Sequence, residues 1–163
     1  FCAWKACRSI CHRGTCAVSH QCHLCKPLST GHEPFAQQRD LPIVTLPALR
    51  ERQLAGEPVA DFAAAIEAVW RDPHIAHPGG ESNVVAQQRG VAAVENLRHQ
   101  HGDAEHVALA THGNLLALIL QHYDPALGYE FWQALTMPDV YRLSLGPQGA
   151  TNIERIYREQ TGS

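Results

Sequence analysis

No run of apolar residues in this 163-residue chain approaches the roughly 20 needed to cross a bilayer as a helix. Positive charge is not in excess either. The 13 Lys and Arg stand against 16 Asp and Glu, a net charge of −3 with histidines neutral. The chain therefore has no global basic field to hold nucleic acid or an anionic lipid surface. Its start, "FCAWKACRSI", lacks the continuous apolar region of a secretory signal peptide. Cysteine is absent from every position after Cys25: all six lie at Cys2, Cys7, Cys11, Cys16, Cys22 and Cys25. A secreted disulfide framework would tie the whole chain together rather than one end of it. A cysteine-free body is instead expected of a cytoplasmic protein carrying an unusual amino-terminal stretch.

What is present is 45% hydrophobic and 18% charged, the composition of one globular domain with a core. Two zones divide the chain. Residues 1–28 form an atypical segment rich in Cys, His, Arg and Ser, without a period of 2 or 3.6. Residues 29–163 read as an α/β domain. Within it "LPIVTLP" (41–47) predicts a buried strand. "VADFAAAIEAVWRDP" (59–73) predicts a helix capped by Asp61, with Phe62, Ile66, Val69 and Trp70 inward and Pro73 as its stop. "HPGGESN" (77–83) is a loop, and 84–102 an amphipathic helix with Val84, Val91, Val94 and Leu97 inward and Gly102 as its end. "HVALAT" (106–111) reads as a buried strand and "LLALILQHY" as the helix after it. "DVYRLSL" (139–145) and "NIERIYRE" (152–159), separated by "GPQGA", read as a hairpin adding an antiparallel edge to the sheet. Strands alternating with helices predict a three-layer α/β/α architecture with a mostly parallel sheet.

The most informative stretch is "LATHGNLLALIL" (109–120). It places His112 where a buried strand ends and a helix begins, the position at which open α/β sheets bind ligands. Gly113 allows close backbone approach, Asn114 is suited to capping, and the helix start offers N–H groups to an anion such as phosphate. A histidine there can donate to a phosphoryl oxygen or simply satisfy backbone groups at a strand end. "LRER" (49–52) also follows a strand candidate and brings Arg50 and Arg52 around Glu51, a combination suited to phosphate binding and proton donation. "GGES" (79–82) sets Ser82 at a helix start. Taken singly, each of these corners is more commonly a solvated or capped loop; three in one βα domain point to a phosphate pocket. His74 and His77 read as loop histidines. His99, His101 and His106 suit a helix carboxyl end. Tyr129, Phe131 and Trp132 read as helix packing ahead of a substrate lid.

"LRERQLAG", "PGGES", "LATHGNLLALIL" and "GYEFWQALTMPDVYRL", in this order, resemble the histidine phosphatase superfamily, with its phosphoglycerate mutase-like fold, over residues 29–158. The resemblance implies phosphomonoester hydrolysis or phosphoryl transfer without metal or organic cofactor, on a small phosphorylated substrate or inorganic phosphate. It implies His112 as the second, phosphate-clamping histidine and Glu51 as the proton donor. Arg50, Gly113, Asn114 and Ser82 would contact the phosphate. It also implies an Arg-His-Gly motif, carrying the nucleophilic histidine, after a first strand. No Arg-His-Gly occurs anywhere in the chain. "CHRGT" (11–15) holds His12, Arg13 and Gly14 in another order, and "LSTGH" supplies His32 rather than a clamp arginine ahead of Glu33-Pro34-Phe35. The family's first strand region is therefore expected to be incomplete. Three readings of residues 1–28 stay open: translation out of frame, a degenerate paralogue, and a zinc module drawing on Cys11, His12, Cys16, His20, Cys22, His23 and Cys25. The alternative to an enzyme is a non-catalytic phosphate-ligand binding or structural protein with an amino-terminal zinc site. Oligomeric state is left open.

Overall fold

The computed structural model describes residues 16–18, 38, 40, 42–102, 106–137, 139–147 and 149–158. Its first sheet is parallel and runs in the order β2-β1-β3. The strands are β1 (Cys16–Val18), β2 (Ile43–Thr45) and β3 (Ala108–Ala110). In register, Cys16 lies between Ile43 and Ala108, and Val18 between Thr45 and Ala110. The central strand thus comes from the segment in which the sequence shows no strand period. Three residues are too few to display one; the pairing on both edges, not local pattern, makes Cys16–Val18 a strand. A second departure concerns β2. It is expected to be buried, but Ile43 and Val44 are 38% and 41% exposed; among the described residues β2 pairs with β1 alone.

Helix α1 (Phe62–Arg71) starts as expected: Asp61 Oδ1 accepts the N–H of Ala64 at 2.9 Å, satisfying one of the free amides of the first turn. Ile66 and Val69 are buried, but Phe62 is 61% exposed. It is the first helical residue, and helical side chains tilt toward the amino end, which carries this ring past the edge of the core. Helix α2 (Asn83–His101) is capped by the Ser82 hydroxyl and ends at Gly102, whose φ of 69° is easy only for glycine. Asn83 Nδ2 donates to Val69 O at 3.0 Å and ties α2 to α1.

Helix α3 (Gly113–Tyr123) is apolar almost all round, with Leu115, Leu118, Ile119 and Leu120 at 3% exposure or less. It packs on the small residues Ala86, Gly90 and Ala93 of α2. A Cβ at Gly90 would lie 2.8 Å from Ile119 Cγ1, so the two backbones approach closely. Leu49, in the 3₁₀ turn Pro47–Leu49, completes this core at 0% exposure.

The short α4 (Tyr129–Gln133) sets Trp132 against Tyr129, with ring centroids 5.7 Å apart, and against Trp70 at 6.2 Å; Phe131 meets Tyr141 edge-on. These aromatics serve helix packing. The hairpin is present as β4 (Asp139–Gly146) and β5 (Gly149–Arg158), with only Pro147 and Gln148 between the strands rather than all of "GPQGA". It forms its own two-stranded sheet among the described residues instead of extending the parallel one. A cavity of about 380 Å³, lined by Leu109 of β3 and Leu143 of β4 together with Leu97 and Leu120, lies between the two sheets.

Candidate functional site

β3 ends at Ala110 and α3 begins at Gly113, so Thr111 and His112 make the strand-to-helix turn, as the sequence indicates. The cap of α3 is not local. His112 makes no side-chain capping bond, and Asn114, expected to cap, is itself inside the first turn. The capping group is Glu51, from the loop after β2. Its Oε2 accepts the Asn114 N–H at 3.3 Å, and its Oε1 accepts those of Leu115 at 3.1 Å and Arg52 at 2.8 Å. A carboxylate at this point is favoured by the free amides and the positive end of the helix dipole. The corner foreseen for an anion is therefore anion-selective, and a side chain of the protein occupies it.

Three residues beside Glu51 carry buried polar atoms that make no hydrogen bond among the described residues: Arg52 Nε and Nη1, His112 Nε2, and both amide atoms of Asn114. Arg52 is 5% exposed and Asn114 6%. Buried polar atoms are nearly always paired, and a buried cation more so. Burial lowers the Arg52 pKa from its ordinary value, against the pull of the Glu51 and Glu81 carboxylates. Burial also lowers the His112 imidazole, again with Glu51 opposing.

The His112 shift has a consequence for stability. A base whose folded pKa is lowered binds more protons when unfolded, so its contribution is present above the unfolded value, 6.5, and is lost as pH falls through it. Urea midpoints measured from pH 8 to pH 5 are expected to fall less steeply for His112→Gln than for the parent chain. Parallel curves would refute the assignment.

The loop carrying Glu51 and Arg52 is stitched in place by a second network. Arg89 of α2 donates from Nε to Glu81 Oε1 at 2.9 Å and from Nη2 to Glu81 Oε2 at 2.7 Å. Its Nη1 donates to the carbonyls of Ala48 at 2.6 Å and Arg50 at 3.0 Å. Glu81 also holds Arg50 Nη2 at 3.2 Å. Burial raises the Glu81 pKa, but the hydrogen bonds and charges of Arg89 and Arg50 outweigh it and leave the carboxyl below its ordinary value. Main-chain bonds from Glu81 N–H to Gln53 O and from Gly56 N–H to Pro78 O lay the two loops side by side.

The structure therefore brings Glu51, Arg52, His112, Gly113 and Asn114 together. It engages Arg50 with Glu81, and the Ser82 hydroxyl with Val85 N–H at 3.3 Å as the cap of α2. Among the described residues a Cβ at Gly113 would meet nothing nearer than Leu135 Cδ1 at 3.9 Å, so their packing does not demand glycine there. Sequence reasoning assigned no separate role to Arg52 and none to Arg89. The available signal for Arg89 was its spacing: it falls on the Ala86, Gly90 and Ala93 face of α2, where a charge needs a buried partner. His74 is exposed, and His77 contacts Ala65 O in the loop. Among the described residues no group of three or more His, Cys, Asp or Glu could hold a metal, and no helix is long and apolar enough to cross a membrane. His12, Arg13, Gly14, His32 and the zinc candidates Cys11, His20, Cys22, His23 and Cys25 lie outside the described residues, as does the side chain of Cys16.

Comparison with known proteins bears on the family and the fold. The model of the histidine phosphatase superfamily (branch 1) matches residues 31–154. No curated protein matches the chain. Among solved structures it is similar to Bacillus stearothermophilus YhfR, at TM-score 0.66 and 19% identity over 90% of this chain and 74% of that one. It is similar to mycobacterial glucosyl-3-phosphoglycerate phosphatase in complex with inorganic phosphate, at TM-score 0.65 and 20% identity over 90% and 77%. Mycobacterial hydrolase 1 superposes at TM-score 0.63 with 18% identity, over 91% and 77%.

Proposed function

The chain belongs to the histidine phosphatase superfamily, branch 1, and from that premise we propose that the Glu51–His112 corner is a phosphate-ester site whose anion binding outlasts its catalysis. The observation that carries the reading is the set of unbonded buried donors on Arg52, His112 and Asn114 around one helix start. A phosphate or phosphomonoester is the ligand class that satisfies several such donors at once. In this reading His112 and Arg52 clamp the phosphate, and the amides of Gly113 and Asn114 donate to its oxygens. Glu51 swings off the α3 cap, takes up a proton from solvent and passes it to the departing ester oxygen. The inorganic phosphate held by the mycobacterial phosphatase of the same fold supports this ligand class. A small phosphorylated metabolite is the substrate class proposed, with no metal or organic cofactor, in the cytoplasm.

Phosphoryl transfer through histidine also needs a nucleophile opposite the leaving group, and a clamp cannot replace it. The chain holds no Arg-His-Gly, which favours the second reading, a phosphate-ligand binding protein without turnover. In sequence, His20 follows β1 by two positions and His12 precedes it, so both belong in the test. Vanadate or phosphate titration of the pure protein is expected to show weak, saturable binding that His112→Ala reduces. Hydrolysis of an aryl phosphate is expected near background. Absence of saturable anion binding would sink the site. Robust turnover lost in His12→Ala or His20→Ala would overturn the inactive reading and name the nucleophile.

A further inference from the structure

We propose that Arg89 is a positioning residue that sets the conformation of the 48–53 loop and so places Glu51 on the α3 helix start and Arg52 beside it; for its effect on anion binding this rests on the phosphate-site reading above. Arg89 hydrogen-bonds neither Glu51 nor the His112 side chain. It acts on the backbone between them and the core. Its Nη1 donates to the carbonyls of Ala48 and Arg50, while its Nε and Nη2 donate to both oxygens of Glu81. On the far side of Glu51 and Arg52, the Gln53 carbonyl is held by the Glu81 N–H at 2.8 Å. Thr111, next to His112, donates through Oγ1 to Leu49 O at 2.9 Å. Leu49, Arg50 and Gln53 are thereby pinned on both flanks of the two functional side chains. Glu51 and Arg52 sit in a stretch without helix or strand, so no ladder fixes their backbone. The planar guanidinium serves four acceptor atoms at once in a fixed geometry, which an ammonium on a flexible stem does not reproduce.

The test uses the full chain with variants Arg89→Gln and Arg89→Lys, and Arg71→Gln as control. Arg71 forms an exposed helical pair with Glu67 and lies outside the network. Two quantities are read: the amide resonances of Asn114 and Leu115, which report the Glu51 hydrogen bonds, and the dissociation constant for vanadate. Arg89→Gln is expected to move both amides toward their positions in Glu51→Ala and to weaken vanadate by about tenfold, the usual scale for residues that hold a binding group in place. Arg89→Lys is expected to lie between parent and Arg89→Gln, because it restores the charge beside Glu81 but not both carbonyl bonds. A variant that only loses stability, with amides and affinity unchanged, would show a purely structural role and overturn the inference. If Arg89→Gln does not fold, unchanged amides and affinity in Arg89→Lys overturn it equally. A parent chain that binds no vanadate would remove the phosphate site, and the amide shifts would still decide the role of Arg89.

Discussion

Arg52→Met is expected to separate binding from stability: phosphate affinity falls by about ten- to a hundredfold, while the unfolding free energy changes by less than about 1 kcal/mol. The first number follows from losing charge-assisted hydrogen bonds, worth about 1.5–3 kcal/mol. The second follows from the present state of the residue. Arg52 is 5% exposed, and its Nε and Nη1 make no hydrogen bond among the described residues, so folding already bears the cost of desolvating them. An unbranched apolar side chain of similar length removes that cost while filling the space, and such replacements of buried charges are often neutral or stabilising. What is lost is the nearby attraction to Glu51 and Glu81, and Glu81 keeps Arg89 and Arg50 as direct partners. Denaturant unfolding and anion titration on the same preparation decide the matter. Severe destabilisation would mean Arg52 is a structural ion; unchanged affinity would remove it from the site.

Gly80→Ala is expected to cost about 3 kcal/mol, at the upper end of overpacking effects, and to weaken anion binding with it. A Cβ at position 80 would lie 2.1 Å from Leu54 O and 2.6 Å from Leu54 C. Both are backbone atoms, so no rotamer change relieves the clash and the loops themselves must part. Those loops are joined by Glu81 N–H to Gln53 O and Gly56 N–H to Pro78 O. Parting them strains the hold of Arg89 and Glu81 on the carbonyls that frame Glu51. Thermal unfolding and vanadate affinity are the measurements. A stability change below about 1 kcal/mol would show that the loops are not held in this contact.

Much of the site was readable before the fold was known. The strand-to-helix change at His112, the Gly113 and Asn114 that follow, and the charged Glu51 after a strand are local features with local physical meaning. So were the Asp61 cap, the Gly102 stop and the 139–158 hairpin. Other elements were not legible. Cys16–Val18 has no strand pattern of its own, because three residues cannot show alternation. The exposure of Ile43 and Val44 depends on what packs against the faces of β2, and that of Phe62 on where the core ends.

The sequence by itself determined the alternation of strands and helices, the helix ends, and which chemical groups stand at strand ends, since capping, periodicity and turn chemistry act within a few residues. Only the tertiary structure decided how those groups pair. It turned Glu51 from a lone carboxylate into the cap of α3 and paired Arg50 with Glu81. It set the Ser82 hydroxyl at the start of α2, left the guanidinium of Arg52 buried, and joined Arg89 to the loop. Each of these outcomes joins residues distant in the chain, and hydrogen-bond geometry between distant segments is set by packing, which no local pattern records.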